Sequence, residues 1–168
     1  LDDLCMSKMP ILNTAIDIFK TSACTSCLCF RLKFEFSATC TGTFTGTCTY
    51  TGTSTGVDTV VATAGANIIS TGAGADIITL GTGVDNVTAG AGDDIIKAAT
   101  GQILSTDTIA GGADTDTIQF SSDATIADLA FTGITGVEAL ATASATIEMA
   151  SVTLGAQAAE AGITTVTF

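Results

Sequence analysis

The chain has 168 residues, with five Lys and Arg against 17 Asp and Glu, no His, and a net charge of −12 at pH 7. That length admits one domain with a core; the charge repels phosphate backbones and excludes nucleic acid as a partner. The lack of His removes imidazole bases and the commonest zinc and iron ligand sets. No apolar run approaches the ~20 residues of a membrane-spanning helix, so no membrane insertion is expected, and 18 Gly with a single Pro favour short strands joined by tight turns.

Residues 1–36 are a Cys-containing segment of unassigned role. Its four bases (Lys8, Lys20, Arg31, Lys33) balance its four acids (Asp2, Asp3, Asp17, Glu35), so the whole net charge sits in the remainder. Ile11, Ala15, Ile16, Ile18 and Phe19 space as a weakly amphipathic helix, and Phe30, Leu32, Phe34 and Phe36 alternate as in a strand. Lys8, Asp17 and Lys20 interrupt any apolar run of a secretory signal. The opening without Met and the final Thr-Val-Thr-Phe suggest a processed or truncated chain. All six cysteines lie in the first 48 residues. Cys24, Cys27 and Cys29 are close enough for a thiolate metal site, but no second knuckle follows; disulfides and free thiols stay open beside it.

Residues 37–52 form a Thr-alternating strand region. Every odd position from Thr39 to Thr55 is Thr, which puts nine threonines on one face of an extended chain, read as a strand or strand pair with a solvated Thr face.

From 53 to 119 the sequence repeats every nine residues. Blocks start at Thr53, Ala62, Thr71, Leu80 and Ala89; after a four-residue insertion, Ala98 to Gly101, they resume at Gln102 and Gly111. Position six is Asp58, Asn67, Asp76, Asp85, Asp94, Asp107 and Asp116, and position eight is Val60, Ile69, Ile78, Val87, Ile96, Ile109 and Ile118. Glycines at positions two and four (Gly72 and Gly74, Gly81 and Gly83, Gly90 and Gly92) permit backbone conformations closed to other residues. A six-residue turn followed by a three-residue strand closes one coil of a flattened spiral every two blocks, with position eight stacked inside. Asp58, Asp76 and Asp94 then line one edge, and Asn67, Asp85 and Asp107 the other. Like charges at coil spacing need a cation between them, and an oxygen-only ligand set in flexible turns selects calcium.

These blocks resemble the RTX, or haemolysin-type, calcium-binding repeats, with the pattern G-G-x-G-x-D-x-U-x. The resemblance implies an all-β parallel β-roll, a β-solenoid of nonapeptide repeats, with Ca2+ between successive turns. It also implies type I secretion and residence outside a Gram-negative cell. Departures are Thr, Leu or Ala at position one, Asn67 at position six, and Ser54 and Thr63 at position two. Calcium is therefore expected first at 71–97, which keep G-x-G-x-D.

Residues 120–168 read as a β-rich flank. Gly133 to Leu140 and Val152 to Gly155 suggest short strands, Gln157 to Gly162 a helical turn closed by Gly, and Ile163 to Phe168 a final strand. The flank is similar to regions beside such repeats in large bacterial surface and S-layer-like proteins. Three functions compete. The first is a non-enzymatic calcium-binding roll of an extracellular or cell-surface structural protein, self-assembling as a homo-oligomer, filament or layer. The second is the export-directing tail of a secreted hydrolase, although no HExxH occurs in the chain, which has no His. The third is an ice-binding solenoid, for which position three (Thr55, Ala64, Ala73, Thr82, Ala91) gives no continuous Thr row.

Overall fold

The computed structural model describes residues 32–33, 41–45, 49–52, 55–122, 124–143 and 149–167. The helix expected over Ile11 to Phe19, all six cysteines and most of the Phe30 to Phe36 alternation lie outside these residues. The strands are β1 (Leu32–Lys33), β2 (Thr41–Thr45), β3 (Thr49–Thr51), β4 (Thr59–Ala64), β5 (Ile68–Ala73), β6 (Ile77–Thr79), β7 (Asn86–Ala91) and β8 (Ile95–Ala98). They continue as β9 (Thr108–Ala113), β10 (Thr117–Phe120), β11 (Ala124–Ile126), β12 (Ile134–Thr135), β13 (Ala139–Thr142), β14 (Met149–Val152) and β15 (Thr165–Thr167).

Alternate strands go to opposite sheets, as a spiral requires. One sheet runs β1-β3-β5-β7-β9-β12 and the other β15-β13-β10-β8-β6-β4-β2, all pairings parallel. Ile68 pairs with Asn86, and Thr59 with Ile77 with Ile95, so one coil is two nonapeptides. The four-residue insertion lengthens the next step, Ile95 to Thr117, without breaking register, because it is extruded at a turn where Ala99 N donates to Gln102 Oε1 (2.6 Å). The architecture is the expected all-β parallel β-roll.

Strand parity decides what is buried. Positions six, eight and the next block's position one alternate to the same side, and all three face inward. Asp76, Ile78 and Leu80 are 0–1 % exposed, as are Asp94, Ile96 and Ala98. The single inward residue expected of a three-residue strand holds within β6, and the flanking Asp76 and Leu80, outside the strand, are buried as well. Thr, Leu and Ala at position one are core residues: Ala62, Thr71, Leu80 and Ala89 are buried, as is Ala98, the first residue of the insertion, and the Thr71 hydroxyl donates to Ala89 O (2.8 Å). Each buried position-eight side chain contributes about 2 kcal/mol, and the small residues opposite add little, so the core is a thin one.

The stack does not stop at residues 53 and 119. Before it, Gly42 pairs with Val60 and Tyr50 with Ile69, and Tyr50 enters the core. Within the Thr-alternating region the described residues form two strands, β2 and β3, which belong to different sheets. After it, Leu140 pairs with Ile118 and Val166 with Leu140. A short helix, α1 (Ala156–Ala161), closed by Gly162 at φ 101°, lies beside β12 and buries Ala158 and Ala161.

The start of α1 is held from a distance. Its flanking Gly155 offers no side chain, and the Asp128 carboxylate accepts from Gly155 N (2.8 Å), Ala158 N (3.0 Å) and Gln157 N (3.3 Å). These N–H donors hold the Asp128 carboxyl below the usual carboxylate range, chiefly that of Ala158. Asp128→Ala should lower the thermal midpoint and speed amide exchange at Gln157 and Ala158, while the calcium dependence of the repeats stays unchanged. Unaltered exchange at both amides would remove the capping role.

Candidate metal centre

The inward parity of position six draws a carboxylate into the core at the mouth of nearly every turn. Asp58, Asp76, Asp85, Asp94, Asp107 and Asp116 are at most 1 % exposed, and Asn67 is 2 % exposed. On one edge each acid accepts, through Oδ1, the backbone N–H of its counterpart one coil earlier. Asp58 N donates to Asp76 (2.7 Å), Asp76 N to Asp94 (2.7 Å) and Asp94 N to Asp116 (2.9 Å). On the other edge Asn67 N donates to Asp85 and Asp85 N to Asp107, both at 3.0 Å.

That ladder uses one oxygen of each carboxylate. The second oxygens, Oδ2 of Asp76, Asp85, Asp94 and Asp116, are buried with no hydrogen-bond partner. A buried, unpaired anionic oxygen costs several kcal/mol, comparable to or larger than the gain from a neighbouring aliphatic side chain. Two rungs differ. Asn67 donates Nδ2 to Asp85 Oδ1 (3.0 Å) and to Gly65 O (2.9 Å), so an amide replaces one charge. Asp107 uses Oδ2 to accept Leu104 N (2.8 Å), closing its own turn, and keeps no spare oxygen.

The electrostatics agree with this geometry. Burial, joined by the carboxylates of Asp116, Asp76 and Asp93, pushes the Asp94 carboxyl up to about 7 against the lowering N–H of Asp76. Burial also raises Asp76, Asp107 and Asp116 above their ordinary range. Carboxylates one strand apart, about 4.8 Å, repel by about 3 kcal/mol at an effective dielectric constant near 20.

The turns supply further oxygens. Gly72, Gly74, Gly83, Gly90 and Gly92 have positive φ, whereas Gly81 is buried without it. Gly90 shows why no side chain is allowed: at φ 126° a Cβ there would overlap the Gly72 carbonyl oxygen of the coil before. At Gly92 it would lie 2.6 Å from Gly74 O. Turn carbonyls therefore face the next turn at the edges where the carboxylates stack.

Among the described residues no three His, Cys, Asp or Glu side chains converge on one point, because the acids arrive one per coil. Buried oxygens without donors, all-oxygen chemistry and adjacent carbonyls nevertheless fit a hard divalent cation, which would supply the missing positive charge. The sequence reading missed Glu138, whose Oε2 accepts Asp116 N (2.9 Å) and continues the first row. Its signal was present in Gly136-Val-Glu138-Ala-Leu140, a turn glycine, an acid and a core leucine at repeat spacing.

Without metal, the folded roll binds protons more tightly than the unfolded chain, so its stability is greatest at acid pH and is lost as pH rises towards about 7. In chelator, circular dichroism should show more β structure at pH 5.5 than at pH 7.5. The Asp128 cap does not interfere, since its window lies below the ordinary carboxylate range. A signal that is flat or falls on acidification would contradict the raised row.

Comparison with known families identifies the repeats. The model of the RTX calcium-binding nonapeptide repeat matches in four copies, over residues 53–87, 81–102 and 105–123, less than half of the chain. No curated protein and no solved structure gives a significant match. Residues 53–123 are RTX calcium-binding nonapeptide repeats folded as a β-roll.

Proposed function

We propose that this chain is a non-enzymatic, calcium-folded β-roll of an extracellular or cell-surface structural protein that self-assembles. The observation that carries the reading is the row of buried carboxylate oxygens with no donor. In this reading Asp58, Asp76, Asp94 and Asp116 hold calcium along one edge and Asp85 along the other, joined by carbonyl oxygens of the glycine turns. Asp107 has a lesser share, because its second oxygen is already used.

Calcium then sets where the chain can fold. Dissociation constants of roughly 10⁻⁴ to 10⁻³ M, typical of extracellular modules, leave it unfolded in a low-calcium cytosol and folded outside. Support for a structural role is that the buried acids are already engaged as backbone acceptors, leaving no free acid and base pair in the row. Self-assembly has support in the end strands β2 and β15 of their sheet, each of which pairs on one side only among the described residues. Ice binding has less support: outward positions of one sheet run Thr49, Ile68, Asn86 and Thr108 in register, which interrupts a threonine row.

Circular dichroism in chelator at pH 7.5 should show little β structure and a cooperative gain on adding millimolar calcium, with magnesium much less effective. Asp76→Ala and Asp94→Ala should raise the calcium midpoint severalfold, and Glu160→Ala on the exposed side of α1 should not. A complete β signal in chelator, unmoved by these substitutions, would favour a metal-free solenoid.

A further inference from the structure

Past the matched repeats, the chain makes one more turn of the same kind. Gly136-Val137-Glu138 lies between β12 and β13 as Gly92-Asp93-Asp94 lies between β7 and β8, and Asp114-Thr115-Asp116 between β9 and β10. Glu138 stands one coil beyond Asp116, since Thr117 pairs with Ala139. Its backbone is fixed on both sides: Glu138 N donates to Asp116 O (3.1 Å), and Glu138 O accepts Thr164 N (2.9 Å) and Thr165 N (3.0 Å).

Two oxygens meet at this turn, the Gly136 carbonyl, which accepts Gly112 N at 3.3 Å, and an Asp116 oxygen that has no donor. Asp116 is fully buried and its Oδ2 has no partner. A Cβ placed on Gly111 would overlap the Gly136 carbonyl oxygen and lie 2.5 Å from Asp116 Oδ2, so both oxygens face the same point on Gly111. Glu138 brings a second carboxylate to the same rung, with Oε2 on Asp116 N and Oε1 uncommitted in the hydrogen-bond ladder. Two carboxylates and a carbonyl, one of the carboxylates buried with a free oxygen, form an oxygen-only set for a divalent cation.

We propose that Glu138, Asp116 and the Gly136 carbonyl form an additional calcium site, outside the RTX-matched residues, that closes the edge row at its C-terminal end. This rests on the reading that the Asp row binds calcium. The longer Glu side chain suits the place, because this coil lacks the residues that lengthen the earlier strands: β12 has two residues where β7 and β9 have six. Glu138 thereby joins the repeats to the coil formed by β13, β15 and α1.

The test is a count of bound calcium by native mass spectrometry on the full chain, with folding followed by circular dichroism. Glu138→Gln keeps an acceptor for Asp116 N and removes the charge; it should bind one calcium fewer than wild type at a concentration that saturates the other sites. Glu138→Lys places an ammonium where the cation would sit; it should fold and also bind one fewer. A Gln variant with the full count overturns the site, since the hydrogen bond alone then explains Glu138. Should the Gln variant not fold, the Lys variant decides: folded with one ion fewer supports the site, and unfolded in saturating calcium overturns it. Asp76→Asn separates the two levels. If it loses calcium while Glu138→Gln does not, only the additional site fails; if wild type binds none, the row itself fails.

Discussion

A buried carboxylate oxygen with no donor is the constraint on which the rest of this structure depends. Coils stacked in register, with the four-residue insertion extruded at a turn, bring position six of each coil directly above that of the last. The parity that sends position eight into the core sends position six there as well. Anions about 4.8 Å apart in a partly desolvated row repel by an amount similar to the gain from each aliphatic residue beside them. The backbone N–H ladder offsets half of the problem by satisfying one oxygen per acid, and the other half requires a cation or a proton.

Much of the remaining design follows from that requirement. Because the charge must be neutralised between turns, the turns approach closely, and a side chain at Gly74, Gly83 or Gly90 would collide with the carbonyl of the preceding coil. The core between the rows is narrow, so position one carries Ala, Thr or Leu and the inward rows stay small through the middle of the stack. Among the described residues, aromatic side chains enter the core only towards the ends, with Tyr50 on one side and Phe120 and Phe131 on the other. The two edges are also unequal. One is acid at every rung from Asp58 to Glu138, while the other substitutes the Asn67 amide for a charge and spends Asp107 on its own turn.

The period of nine made the roll legible in the sequence, because a glycine turn and an aliphatic strand residue at fixed spacing permit only a stacked spiral. The division of acids between two edges was legible for the same reason. Burial of the acids was less so, since an Asp in a glycine turn reads as solvated until its parity with position eight is counted. The threonine alternation made extended chain legible but not its placement: a period of two is silent on which sheet a strand joins, and Thr41–Thr45 and Thr49–Thr51 lie in opposite sheets. Glu138 escaped because Glu replaces Asp and the glycine at position two is absent, leaving Gly136 and Leu140 as the weak remainder of the repeat around it; its hydrogen bond to Asp116 marks the turn in the structure. The anchoring of α1 by Asp128 spans 27 to 30 residues and has no local signature.

The central claim is that the carboxylate ladder exists as an ordered structure only when its charge is neutralised. The most direct measurement is residue-resolved amide hydrogen exchange at pH 7.5, with calcium and with chelator. The reporters are the N–H groups of Asp58, Asp76, Asp85 and Asp94, each of which donates to the acid of the next coil. The account predicts that these four amides are strongly protected in calcium and lose that protection together in chelator. Equal protection under both conditions would show that the ladder stands without a cation, and would contradict it.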